Sequence, residues 1–134
     1  MTVRFVSHTA DVQFIVRAST KAKLFEECAR AFSLCVAEGK RISPCEKRTI
    51  VLSGDDDLSL LYRFMDELIF FVDGERFLVS NVHATLAKNE LRATCEGIRL
   101  THSKGFRHVK AATYAEMYLK KQKGGWEARV VLDV

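Results

Sequence analysis

The chain has 134 residues, of which 48% are hydrophobic and 28% are charged, and its formal net charge is +4. This length and apolar content predict one globular domain over residues 1–134, with no second domain to be sought. No apolar run is long enough to span a bilayer, and the N-terminus lacks the basic and then apolar pattern of a signal peptide. We therefore expect a cytoplasmic protein, or a nuclear one in a eukaryote.

The first two predicted elements are strands in residues 3–7 and 12–17, where apolar and polar residues alternate. Between them lies Ser-His-Thr-Ala-Asp, whose small polar residues suit a tight turn. The imidazole of His8 and the carboxylate of Asp11 also suit a divalent ion, a phosphate or a proton relay. Spacing alone favours the turn and leaves the other roles open.

A core-facing helix is predicted over residues 24–35, where apolar side chains recur at helical spacing. Ser19 or Thr20 offers an N-cap, and Gly39 offers a C-terminal stop. The only proline lies in the connector at residues 40–45, and a strand follows at residues 47–53.

Three consecutive aspartates at positions 55–57 precede a second apolar helical stripe at residues 58–72. They lack the spaced ligands and the glycine of a calcium loop, so we interpret them as a helix cap rather than a metal site. Asp73-Gly74 is expected to end this helix. A hairpin over residues 77–86 and 90–95 follows.

The four cysteines, at positions 28, 35, 45 and 95, are widely and irregularly spaced, and no C-x-x-C pair occurs. A structural zinc site is therefore not expected. We expect reduced, mostly buried thiols.

A basic stretch at residues 97–110 is expected to form a loop with flexible points at Gly97 and Gly105. Charge runs are usually solvated surface, but this one equally suits contact with RNA phosphates or an acidic protein face. Its basic or titratable residues are Arg99, His102, Lys104, Arg107, His108 and Lys110.

The last predicted hairpin pairs residues 112–120 with 126–134 around the turn at 123–125. An apolar strand that runs to the final residue implies docking in a sheet, which would hold Asp133 and a free carboxylate on Val134 in place. If this strand lies beside the first hairpin, these two groups and Asp11 form an all-oxygen cluster. Calcium and magnesium prefer such ligands.

Three motifs together resemble those of the archease family: residues 8–11 (HTAD), residues 109–114 (VKAATY), and Trp126 followed by residues 130–134 (VVLDV). The resemblance covers essentially the whole chain. It implies a single α+β domain with two helices packed on a mixed, mainly antiparallel sheet.

The resemblance also implies a function: a non-catalytic cofactor that activates an RtcB-type RNA-splicing ligase. That ligase joins RNA ends after guanylylation from GTP, and archease promotes the guanylylation and multiple turnover. GTP and manganese would belong to the ligase, and RNA would be met through the ligase complex.

Family resemblance assigns a divalent metal ion, with calcium the first expectation, to Asp11, Asp133 and Val134. For contacts with the partner or with phosphate we single out His8, Lys110 and Arg107. Lys110 matches the lysine of the family's late motif. Two positions depart from the family pattern: Gln13 stands where many members have glycine, and Ala115 where a histidine is common.

Two other functions remain open at this point. A metal-dependent phosphoesterase would use Asp11 and Asp133 around the ion, with His8 as general base. No activated-nucleophile motif or P-loop supports it. A passive RNA-binding or chaperone-like module would rest on the basic stretch alone.

Overall fold

Two antiparallel sheets and two helices form the α+β domain, in a computed structural model that describes residues 2–7, 11–101 and 105–134. The larger sheet contains β1 (Thr2–Ser7), β2 (Asp11–Ala18), β6 (Ala111–Ala112), β7 (Tyr118–Gln122) and β8 (Gly125–Asp133). The smaller sheet contains β3 (Glu46–Ser53), β4 (Phe77–Ala87) and β5 (Glu90–Arg99). The fold class is as expected, although the strands divide into two sheets.

Strand β8 organises the five-stranded sheet. It pairs with β2 over the full length of β2, and the order β1-β2-β8 confirms the expected meeting of the first hairpin with the C-terminal strand. The other edge of β8 is shared by β7 and β6. The single strand predicted over residues 112–120 is therefore wrong, because a 3-10 turn at Tyr114–Glu116 divides it.

The two helices begin at side-chain caps, as expected. Helix α1 (Lys21–Ala37) begins after Thr20, whose hydroxyl accepts a hydrogen bond from the Lys23 amide at 3.1 Å. Helix α2 (Asp57–Glu75) begins after Asp56, whose carboxylate accepts from the Ser59 amide at 2.7 Å. The capping interpretation of the aspartates is confirmed.

Helix α2 ends later than predicted. It continues through Asp73-Gly74, and Arg76 adopts the left-handed conformation (φ 56°) in which its amide donates to the carbonyls of Phe71 and Val72. Glu38 ends α1 in the same conformation (φ 52°). Both C-caps therefore use charged residues where glycine is the commoner choice.

The core lies between the sheets and the helices, and α1 packs against β2 and β8 of one sheet and β4 of the other. All four cysteines are free thiols, and only Cys45 is exposed. Burial raises the pKa of Cys28 and raises that of Cys95 to about 12, so both thiols stay protonated. Among the described helices, none has the length and apolar character needed to cross a membrane.

Alternation along β2 and β8 separates a core face from an outer face. Phe14 and Val16 point toward α1 and are fully buried, whereas Asp11, Gln13 and Arg17 point to the opposite side. We call that opposite side of the five-stranded sheet the outer face.

Candidate functional site

Asp11 and Asp133 face each other across neighbouring strands. Asp11 is the first residue of β2 and Asp133 the last of β8, and the antiparallel register places them directly opposite. Side chains in such a pair project to the same face with Cβ atoms about 5 Å apart. The structure thus brings together the two aspartates that the sequence analysis assigned to a metal.

One oxygen of this pair has no hydrogen-bond partner among the described residues. Asp11 Oδ1 is buried, and no donor among the described residues forms a hydrogen bond with it. A buried carboxylate oxygen without a partner is costly, and a like charge directly opposite adds repulsion. A hard divalent cation relieves both costs, so the residues present fit the expected ion.

The backbone around Asp133 is held on both sides. Its carbonyl accepts a hydrogen bond from the Lys110 amide at 2.8 Å, and Ala111 lies opposite it in β6. The side chain of Val134 packs against the core. This end of β8 is therefore docked as expected, and the Asp133 carboxylate projects from a fixed backbone.

The residues expected to contact the partner or phosphate do not all lie beside the two aspartates. Lys110 lies beside Asp133 through its backbone, whereas Arg107 lines a cavity of about 420 Å³ with Phe5, Val12 and Leu34. Because Val12 faces the opposite side of β2 from Asp11, this cavity is not on the carboxylate face. Arg107 forms an ion pair with Glu38 at 3.7 Å. His8 lies outside the described residues.

Within the described ranges, no group of three or more His, Cys, Asp and Glu side chains is placed to hold a metal ion. Among the described residues, the candidate ligands are those implied by the family resemblance: the side chains of Asp11 and Asp133 and a main-chain oxygen of Val134. Such a set leaves coordination positions for water or for a group on a partner.

A second polar cluster on the outer face was missed by the sequence analysis. Glu127 is only 4% exposed, and its carboxylate accepts hydrogen bonds from Arg17 Nε and Tyr118 Oη, each at 2.6 Å. Lys120 Nζ lies 3.5 Å away. The hydrogen bond from Tyr118, together with the neighbouring cations, holds the pKa of Glu127 below its usual range. Glu127 fits the polar face of an alternating strand, so the sequence pattern gave no signal of its burial.

The two departures from the family pattern have different consequences. Gln13 is buried, and its Oε1 accepts a hydrogen bond from Arg129 Nη2 at 2.7 Å, a contact that glycine cannot make. Ala115 is exposed in the 3-10 turn. Nothing in the structure explains the alanine there.

Comparison with known proteins agrees with this architecture. The model of the archease protein family matches residues 4–134. Protein archease of Aeropyrum pernix is 31% identical over 134 residues, which cover 95% of this chain and 93% of the relative.

Solved structures show the same fold. The solution structure of Methanobacterium thermoautotrophicum Protein 1598 superposes with a TM-score of 0.75 at 25% identity, covering 98% of each chain. The 2.0 Å crystal structure of an archease from Thermotoga maritima, described as a possible chaperone, gives a TM-score of 0.69 at 21% identity over 96% of this chain and 94% of that one. The match along nearly the whole sequence establishes that the chain belongs to the archease family.

Proposed function

We propose that this protein is a non-catalytic activator of an RtcB-type RNA-splicing ligase. It promotes guanylylation of the ligase from GTP and sustains multiple turnover. Family membership supports this class of activity. The opposed carboxylates of Asp11 and Asp133 are the observation that assigns the activity to specific residues.

In this proposal a divalent cation, with calcium as the first expectation, binds to Asp11, Asp133 and a main-chain oxygen of Val134. The bound ion supplies a positive charge with open coordination positions. β2 and β6 hold the end of β8 between them, so the carboxylates keep the ion at a fixed position from which it can contact the partner. An activator shifts the ligase only by binding its guanylylation-competent state more tightly than the other state. In this proposal the protein meets the RNA substrate within the ligase complex.

The test is multiple-turnover RNA ligation by the cognate ligase with GTP and manganese, without addition, with the wild-type protein, and with Asp11→Asn. The amide keeps the shape of the side chain and removes its charge. We expect strong stimulation by the wild type and a decrease of tenfold or more with the variant, on the order of the losses seen when metal sites are perturbed. Gel analysis of the guanylylated ligase separates the first step from turnover.

Asp55→Asn is the matched control, because Asp55 is exposed and lies before α2 rather than on the outer face. It is expected to stimulate as the wild type does. Equal stimulation by Asp11→Asn and the wild type would contradict the assigned site. A folded wild-type protein that does not stimulate the ligase at all would contradict the function.

A further inference from the structure

We propose that a cleft between Arg4 and Arg17 on the outer face binds the phosphate groups of a single-stranded nucleic acid. The cleft has a volume of about 200 Å³ and is lined by Thr2, Arg4, Ile15 and Arg17. It lies six residues along β2 from Asp11, which corresponds to about 20 Å. This site is separate from the carboxylate pair and goes beyond the activator function.

The strand register creates the cleft. Thr2 lies opposite Arg17 and Arg4 lies opposite Ile15, so all four side chains project from the outer face. The two arginines are diagonal neighbours that flank the hydroxyl of Thr2 and the apolar surface of Ile15. Guanidinium groups bind phosphate through paired, charge-assisted N–H donors, and a hydroxyl supplies a further donor.

Arg17 is oriented before any ligand arrives. Its Nε donates to Glu127 Oε1 at 2.6 Å, while 59% of its side chain is exposed. The other carboxylate oxygen of Glu127 accepts from Tyr118 Oη at 2.6 Å, which fixes the glutamate in turn. One edge of the guanidinium is thus anchored, and the remaining N–H groups stay available. Fixing a binding group in advance lowers the entropic cost of binding.

Arg4 carries the uncompensated charge of the cleft. Among the described residues it has no ion-pair or hydrogen-bond partner in the protein. The carboxylate of Glu127 is shared between Arg17 and Lys120. Cations therefore outnumber carboxylates here, which favours an anionic ligand.

A second cavity extends the cleft and favours a polymer over a single phosphate. It has a volume of about 380 Å³, shares Thr2 and Arg17 with the first, and continues to Lys123 and Trp126 at the β7–β8 turn. With Arg4 and Arg17 at one end of the combined groove and Lys123 at the other, the groove offers cations to more than one phosphate of a strand.

The test measures binding of a fluorescein-labelled oligouridine of about 12 nucleotides, within the usual site size, by fluorescence anisotropy. The full chain is used without ligase and with EDTA, so that the cation site does not contribute. Binding to the wild type should weaken with salt. Arg4→Gln should lower the affinity about tenfold and make the slope of log K against log salt shallower by about 0.7 for one lost phosphate contact.

Arg92→Gln is the matched control, since it removes the same charge from an exposed arginine of β5 in the other sheet. It should bind as the wild type does, and circular dichroism should show both variants folded. No binding at low salt, or equal losses for the two variants, would overturn the proposal. Competition by uridine monophosphate as strong as by unlabelled oligouridine would overturn the assignment to a polymer. Because ligase is absent, each of these failures is separate from a failure of the activator function.

Discussion

At the scale of single residues, the opposed aspartates should determine how the thermal stability of the protein responds to calcium. Two carboxylates directly across an antiparallel pair destabilise it by roughly 0.2–1 kcal/mol. In EDTA, Asp11→Asn should therefore raise the melting temperature by roughly 1–4 °C, measured by differential scanning calorimetry. With calcium added, the wild type should gain stability as the ion concentration exceeds its dissociation constant, and the variant should not.

The matched substitution for this experiment is Asp66→Asn, because Asp66 is exposed in the middle of α2. It should retain the calcium response of the wild type. If Asp11→Asn melts below the wild type in EDTA, the two carboxylates do not repel each other in the apo protein. If it keeps the full calcium response, Asp11 does not serve as a ligand.

The ionisation of Tyr118 should make the stability of the protein depend on pH at high pH. Burial, together with its hydrogen bond to Glu127, raises the pKa of Tyr118 to about 12, above the ordinary value of about 10. Between pH 10 and 12 the unfolded chain releases this proton while the folded chain retains it. The free energy of unfolding contributed by Tyr118 is therefore fully present below pH 10 and is lost as the pH rises toward 12.

Tyr118→Phe should make the stability depend less steeply on pH in that window. Urea titrations at steps between pH 8 and pH 12 measure the effect, and the values at pH 8 give the pH-independent cost of the substitution. Parallel curves for the variant and the wild type above pH 10 would show that Tyr118 ionises equally in both states.

At the scale of elements, a close approach between β4 and β5 makes one glycine obligatory. A Cβ atom at Gly97 would lie 2.1 Å from the carbonyl oxygen of Leu78, beside the register shift between Val79 and Asn81. Backbone atoms cannot move aside as a flexible side chain can. Gly97→Ala should therefore lower the free energy of unfolding by about 2–4 kcal/mol, seen as a lower urea midpoint with an unchanged slope.

Gly39→Ala provides a comparison in which only backbone strain is tested. Gly39 has φ +80°, and no atom of the described residues lies within 4 Å of the position of an added Cβ. The expected cost is about 1 kcal/mol. A larger loss for Gly39→Ala than for Gly97→Ala would contradict the assignment of Gly97 to a packed strand.

At the scale of the whole molecule, the two helices join both sheets into one core. The rings of Phe25 in α1 and Phe64 in α2 are fully buried with centroids 5.8 Å apart. Phe64→Ala should lower the free energy of unfolding by about 3–5 kcal/mol. Since α1 contacts both sheets, we expect a single transition in which far-UV circular dichroism and the fluorescence of Trp126 coincide.

Phe70→Ala is the control for this substitution, because the Phe70 side chain is 57% exposed on the same helix. It should change the stability by no more than about 0.5 kcal/mol. A Trp126 transition that kept its wild-type midpoint in Phe64→Ala, while the circular dichroism signal shifted, would show that the two sheets unfold independently.

Local pattern in the sequence was enough to predict most elements. Alternating residues predicted β2, helical spacing predicted α1, and the aspartate before α2 was identified as its cap. These features depend on neighbours within a few residues of each other, so the chain specifies them without knowledge of the fold. The motifs at the two ends likewise sufficed to identify the family.

Only the tertiary structure decided which of these residues meet. Asp11 faces Asp133 because β2 and β8 pair in one register. Arg17 forms a hydrogen bond with Glu127, which lies 110 residues away in the sequence. Contacts with the end of α1 place Arg107 on the other side of β2, and the approach of β4 places Gly97 in a strand rather than a loop. Alternation tells which face a side chain takes, but it carries no information about the strand that will lie beside it.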